Sequence, residues 1–235
     1  MNKVQYTPKI IVLKKLLDDG SAREIVEQKK TSVFRSMLKK PPKSEVHVHS
    51  IKLLYEPILI VSGKYVTDFY RKATHTINVD GNVKEVVLGD GRFSIKSKSS
   101  FLKKLKGGRA KNKIELNLEE HVFLDKEETI SYDLHGKEIK FPFKINSKTM
   151  ENYPSKILDQ NEMNVKKPEI SYENAIKKFE TTLKKAIDSN VRKLQDELTI
   201  NEINEVYVPI YEARLAGPKK KVGLLRIDAI RKKVL

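Results

Sequence analysis

The sequence of 235 residues contains no cysteine and no tryptophan. The missing cysteines exclude disulfides, thiolate metal centres, zinc ribbons and cysteine nucleophiles together. Long apolar runs are also missing near the N-terminus, where Ile10 to Leu13 is the longest uninterrupted stretch between Met1 and Leu17. That is far short of a signal-peptide core or a membrane span, so the expectation is a soluble, cytoplasmic protein. Signature motifs are scarce as well. No Gly-x-x-x-x-Gly-Lys-Ser/Thr, Gly-x-Ser-x-Gly or His-Glu-x-x-His occurs, which argues against a nucleotide-driven motor or a common hydrolase.

Positive charge is present in excess. There are 47 Lys and Arg against 31 Asp and Glu, a net charge of +16. The charge is unevenly distributed. Lys96, Lys98, Lys103, Lys104, Lys106, Arg109, Lys111 and Lys113 form a stretch of +8 with no acid, and Arg214 to Lys233 contributes +7. Residues 115–162, by contrast, hold eleven acids and six lysines, for −5. Segregation of this kind separates a binding surface from general solubilisation. Around Gly107-Gly108, small residues allow backbone amides to approach a phosphate while flanking cations neutralise its neighbours. Phosphate contacts are therefore assigned to Lys103, Lys104, Lys106, Arg109, Lys111 and Lys113. A second patch comprises Lys219, Lys220, Lys221, Arg231, Lys232 and Lys233. Pro218 to Val222 has the composition of a nuclear-import signal, but a charged hairpin turn is the simpler reading. The Lys- and Ile-rich composition without cysteine is thermophile-like.

Periodicity predicts an α+β fold of antiparallel hairpins packed with helices. Ile10, Leu13 and Leu17 share a helical face, predicting a helix over 7–19 that Gly20 ends. Ser21 and Glu24 read as a capping box for a second helix to about Lys39, stopped by Pro41-Pro42. Between Glu45 and Val87, interruptions at Ser62-Gly63 and Asp80-Gly81-Asn82 predict a three-stranded meander, closed by Gly89-Asp90-Gly91. A short helix is expected over Ser100 to Leu105, then short strands from Lys113 to Ile145 with a turn at His135-Gly136. The strongest helical pattern runs from Tyr172 to Leu198, with apolar residues at spacings of three and four. Its stripe suits packing on the sheet, or a seam with a second copy or a protein partner. The expected domains are 1–95, a basic loop and β insertion at 96–145, a linker at 146–170, and 171–235.

Two segments resemble each other. Ile51 to Ile58 and Ile203 to Ile210 match at Ile, Tyr, Pro and Ile, and Ile77 to Asp80 lies over Leu225 to Asp228 in the same order. This predicts a duplicated helix-plus-hairpin unit. Tyr55 and Tyr207 are read as packing residues at hairpin bases.

Three smaller constellations carry residue types with possible chemistry. Tyr65, Phe69 and Arg71 would share one strand face, either buried or open to unpaired bases. His47 and His49 also share a face, but with no third ligand set by spacing no metal is assigned. Asp133 with Glu138-Ile139-Lys140 has the residue types of a metal-dependent nuclease, although such a tripeptide is common in a chain this rich in Lys and Glu. The expectation is thus a non-catalytic nucleic-acid-binding protein without a cofactor. Structured RNA or a ribonucleoprotein such as the ribosome is favoured over DNA. A dimeric adaptor using the 172–198 helix is the alternative, and a nuclease ranks third.

Overall fold

A computed structural model describes residues 7–35, 39–94, 112–185, 187 and 191–235. In chain order these form β1 (Lys9–Val12), α1 (Asp19–Lys29), β2 (His47–Val79), β3 (Glu85–Leu88), β4 (Gly91–Ser94) and β5 (Asn112–Tyr132). There follow β6 (Glu138–Ile139), α2 (Pro154–Gln160), α3 (Tyr172–Lys184), β7 (Val191–Ala216), β8 (Val222–Asp228) and β9 (Lys233–Val234). Strand order in the main sheet is β6-β5-β2-β7-β8-β9, with β1 pairing in parallel to β7, and β3 and β4 form a separate hairpin. The architecture is α+β. No helix among the described residues is long and apolar enough to cross a membrane.

The chain forms two compact units. One takes the chain up to Lys64 with Glu127–Thr182 and Thr199–Leu235; the other takes Tyr65–Lys126 and Leu183–Leu198. In the first unit, side chains alternate between the two faces of β7 as a strand requires. Tyr211, Ala213 and Leu215 pack with Ala22 and Val26 of α1, whereas Val206, Val208 and Ile210 pack with Ile11 and Leu13. Val12 joins Tyr55 and Tyr207 on the α1 side of the sheet, with Ile157 and Leu158 of α2 against them. Residues 146–170 therefore include a helix that contributes to the core. Ala175 and Phe179 of α3 are fully buried. A buried phenylalanine contributes about 1.5–3 kcal/mol.

The second unit depends on polar contacts across β2, β5 and β7. Tyr65, Thr67, Phe69, Ile114 and Leu116 are buried in it. Around them Arg71 Nε donates to Glu120 Oε2 at 2.7 Å, His75 Nε2 lies 2.6 Å from Glu120 Oε1, and Thr74 donates to Asn117. Hydrogen bonds from Arg71 and then His75 hold the Glu120 carboxyl below its ordinary range, that from Arg71 being the larger cause.

Several expectations are corrected. The segment expected to be a helix over 7–19 is strand β1 in its middle. Ile11, Val12 and Leu13 are all buried, because this strand is covered on both faces and needs no alternation. Helix α1 starts earlier than expected. Its N-cap is Asp18, which accepts from the Ser21 amide at 2.9 Å and the Ser21 hydroxyl at 2.7 Å, and Gly20 lies inside its first turn. It ends at Lys29, followed by a 3-10 turn over Lys30–Phe34.

The expected meander is one strand of 33 residues, β2. Gly63 is not a turn residue. A Cβ there would sit 2.6 Å from the Thr199 carbonyl oxygen and 3.0 Å from the Phe179 ring, so its glycine serves close approach rather than reversal. The short strands expected after Lys113 are one strand, β5, although the His135-Gly136 turn is present, with Gly136 at φ +75°. The helix expected over 172–198 stops at Lys184, and residues 191–198 are strand, tied to β2 by the Thr67 hydroxyl donating to the Gln195 carbonyl.

The duplication is not shown either. Leu225 to Asp228 returns as β8 beside β7, whereas Ile77 to Asn78 continues straight along β2. The two Tyr-x-Pro segments instead lie on neighbouring strands. Pro209 falls where the partner of β7 changes from β1, whose register ends at Val12 opposite Tyr207, to β8, whose register begins at Asp228 opposite Ile210. A residue without an amide proton is tolerated in that gap.

Gly63→Ala is expected to destabilise the protein by about 1–3 kcal/mol through overpacking. Urea denaturation checks this, and an unchanged midpoint would refute the close-approach role of Gly63.

Candidate nucleic-acid interface

Of the first basic group, Lys103, Lys104, Lys106, Arg109 and Lys111 lie outside the described residues, as does the helix expected over 100–105. Lys113 is exposed at the second position of β5. The second group splits into two kinds of residue. Lys219, Lys220 and Lys221 are all exposed where β7 turns into β8, and none has an ion pair among the described residues. The turn is closed by the Gly217 amide donating to the Lys221 carbonyl at 2.8 Å.

Lys219 and Lys220 occupy left-handed backbone at φ +57° and +58°, as do Lys193 and Lys232; these four are the only such non-glycine residues among those described. That conformation costs an L-residue about 1–2 kcal/mol and normally selects glycine or asparagine. Lysine at all four positions is therefore not explained by backbone preference. The turn is also braced from below. A Cβ at Gly217 would lie 2.6 Å from Phe34, and one at Gly223 would lie 2.5 Å from Val33, so the 3-10 turn packs directly beneath the hairpin and presents exposed Arg35 next in the chain.

Arg231 serves a different purpose. Its Nε donates to buried Asp228 Oδ2 at 2.6 Å, and its guanidinium stands 5.2 Å from the centroid of Phe143. Asp228 also accepts from the amides of Ile230 and Arg231, so this arginine anchors the bend before β9. Lys232 and Lys233 beside it are exposed.

A cavity of about 520 Å³ opens beside Arg231 and includes Glu56, His135, Lys166, Glu169 and Arg226 in its wall. Its acids already have partners. Lys166 Nζ lies 2.8 Å from Glu56 Oε1, Arg226 pairs with the other oxygen of Glu56, and His135 Nδ1 lies 2.8 Å from Glu169 Oε2. Hydrogen bonding to Glu169, then its charge, raises the His135 pKa. Charges matched within one wall do not make a phosphate sink. None of these pairs was signalled by the sequence, because each joins residues far apart in the chain.

The remaining constellations are distributed as follows. His47 and His49 are exposed on one face of β2 beside a cavity of about 410 Å³ that Arg23, Glu27 and Lys30 also line. No group of three metal-ligating side chains occurs among the described residues. Asp133 Oδ1 accepts from the amides of His135 and Lys137, which fastens the hairpin turn, and Glu138 lies opposite Tyr132 in the β5–β6 ladder. Burial, with a smaller contribution from Glu138, pushes the Tyr132 phenol up to about 12. The helix stripe offered for a partner is covered within the chain at Ala175, Phe179 and Leu183.

On β2, Tyr65 and Phe69 are each 1% exposed, so the aromatic face expected to be open or buried is buried. Tyr65 donates to Asp196 Oδ2 at 2.9 Å. The neighbouring residue Tyr70 points to the opposite face and stacks on His121, with ring centroids 4.3 Å apart and planes 2° from parallel. Lys193 Nζ is 5.4 Å from the Tyr70 centroid. Sequence reasoning missed this row, although the alternation His121, Phe123, Asp125 already placed those residues on one side of a strand.

Compared with protein-family models, with curated proteins and with solved structures, the chain has no match in any of the three.

The raised His135 pKa has a definite sign. A protonated imidazole paired with Glu169 stabilises the folded state fully below the ordinary histidine value of about 6.5, and this contribution disappears as pH rises through the higher folded value. NMR titration at low salt should show His135 titrating above that value, and Glu169→Gln should remove the elevation. An unshifted titration would contradict the pairing.

Proposed function

We propose that this is a non-catalytic nucleic-acid-binding protein that contacts phosphates through its basic turns, with structured RNA or a ribonucleoprotein favoured over DNA. The observation that carries this reading is the run Lys219-Lys220-Lys221, three exposed cations without ion pairs among the described residues, two of them in left-handed backbone. Elsewhere in the same unit, cations such as Lys166, Arg226 and Arg231 sit against acids. A surface lysine that only aids solubility needs no such placement. The acid-free stretch of +8 from Lys96 to Lys113 supplies the second set of cations in sequence.

The preference for RNA rests on where the described cations of this patch lie: Lys219, Lys220 and Lys221 are exposed in the turn between β7 and β8. α1 buries Ala22 and Val26 against the sheet, and α3 buries Ala175 and Phe179. Cations in loops fit the irregular phosphate paths of folded RNA.

Binding to folded RNA, single-stranded RNA and duplex DNA across a salt series tests the proposal. The logarithm of affinity should fall linearly with the logarithm of salt concentration, by roughly 0.7–0.9 per phosphate neutralised. Replacing Lys219, Lys220 and Lys221 by glutamine should weaken binding and reduce that slope by about two. The same is expected when Lys103, Lys104 and Lys106 are replaced. If affinity and slope are unchanged in both variants, these two lysine groups are not the contact surface.

A further inference from the structure

We infer that the open face of the second unit, built on Tyr70, His121 and Phe123, takes the bases of single-stranded RNA by stacking. This rests on the nucleic-acid reading above and adds to it a base-contacting surface distinct from the lysine turns.

The geometry is that of a column of rings. Tyr70 of β2 and His121 of β5 stand parallel at 4.3 Å, the spacing and tilt of stacked aromatic planes. Lys193 of β7 stands over the Tyr70 ring at 5.4 Å, so one row crosses three strands. Asp68 Oδ1 accepts from His121 Nε2 at 2.5 Å and fixes the imidazole plane. Phe123 follows His121 by two residues on the same strand, hence on the same face, and is 64% exposed. A phenylalanine so exposed on a strand stabilises no core.

This row has an open end. In the strand order, β5 pairs beyond β2 only with β6, at Ser131 and Tyr132, so His121 and Phe123 stand on the outermost strand among the described residues. An unpaired base can extend the column on the half-exposed imidazole or cover Phe123, since every base offers a π-face.

Beside the rings, Lys72 and Lys193 are exposed and have no ion pair among the described residues, while Asp68 lies against His121 and Glu119 against Arg192; Glu115 and Asp125 are further exposed acids on the same side of β5. The two lysines next to the column are the groups that would meet phosphates. An acidic peptide would gain from the cations but needs no parallel ring faces. Asp68 beside the column is also an acceptor for a ribose 2′-hydroxyl, a group DNA lacks. RNA is for that reason the occupant assigned.

The test uses the full chain and a single-stranded RNA of about 12 nucleotides containing 2-aminopurine, whose fluorescence is quenched on stacking. Phe123→Ala should weaken binding about 5- to 150-fold, the range for loss of one stacked base, and should relieve the quenching with the salt slope unchanged. His121→Ala should do the same, and Phe123→Tyr should retain binding. If the wild-type protein binds with a steep salt slope but Phe123→Ala and His121→Ala neither weaken binding nor relieve quenching, the stacking surface is wrong and the phosphate reading stands. A deoxy strand of the same sequence binding as tightly would overturn the assignment to RNA. If the wild-type protein binds no nucleic acid at physiological salt, the broader reading fails and this one with it.

Discussion

Every backbone amide and carbonyl of β2 needs a partner, and this strand runs for 33 residues between β5 and β7. A buried backbone group without a hydrogen bond costs roughly as much as one good hydrogen bond contributes, so a strand this long imposes its neighbours. It draws residues 191–198 into β7 although their apolar spacing suits a helix. It makes residues 112–132 one strand where local breaks suggest several. Proline obeys the same requirement, since Pro209 occupies the place on β7 where one partner strand has ended and the next has just begun.

The two units satisfy this shared constraint by different means. The first covers its sheet with α1 and α2 on one side and with Phe141, Phe143 and Met150 on the other. Inside it, Tyr172 and Tyr207 both donate to the buried carboxylate of Glu205, and burial together with that carboxylate drives both phenol pKa values up. A polar group at the centre of a core is tolerable only when it is fully engaged. Among the described residues the second unit has fewer buried ones, and it joins its strands through Arg71, His75, Glu120, Asp68 and His121. Exposed pairs of this kind contribute little each, so their value lies in fixing register and in standing ring planes upright.

The proposed division of labour follows from these differences. In this proposal lysines in the turn of the first unit would meet phosphates through charge alone, a contact that holds without sequence preference. Rings on the second unit would meet bases, on the face opposite Tyr65 and Phe69, whose burial secures the strand. Arg226 and Arg231 are basic residues of another kind. They are committed to Glu56 and Asp228 and hold the architecture in place.

By itself the sequence determined the α+β class, the uneven distribution of charge, the turn at His135-Gly136 and the packing role of Tyr55 and Tyr207. These features depend on composition or on residues close in the chain. Tertiary structure decided the rest. Whether Ser62-Gly63 reverses the chain depended on Phe179 and Thr199 pressing against it, and whether 191–198 is helix or strand depended on the ladder offered by β2. Which face of β2 is open depended on what covers the other. Arg231 differs from Lys219 only because a buried carboxylate lies within reach. Interactions between residues far apart in the chain leave no local periodicity, and such interactions commit Arg226 and Lys166 to Glu56.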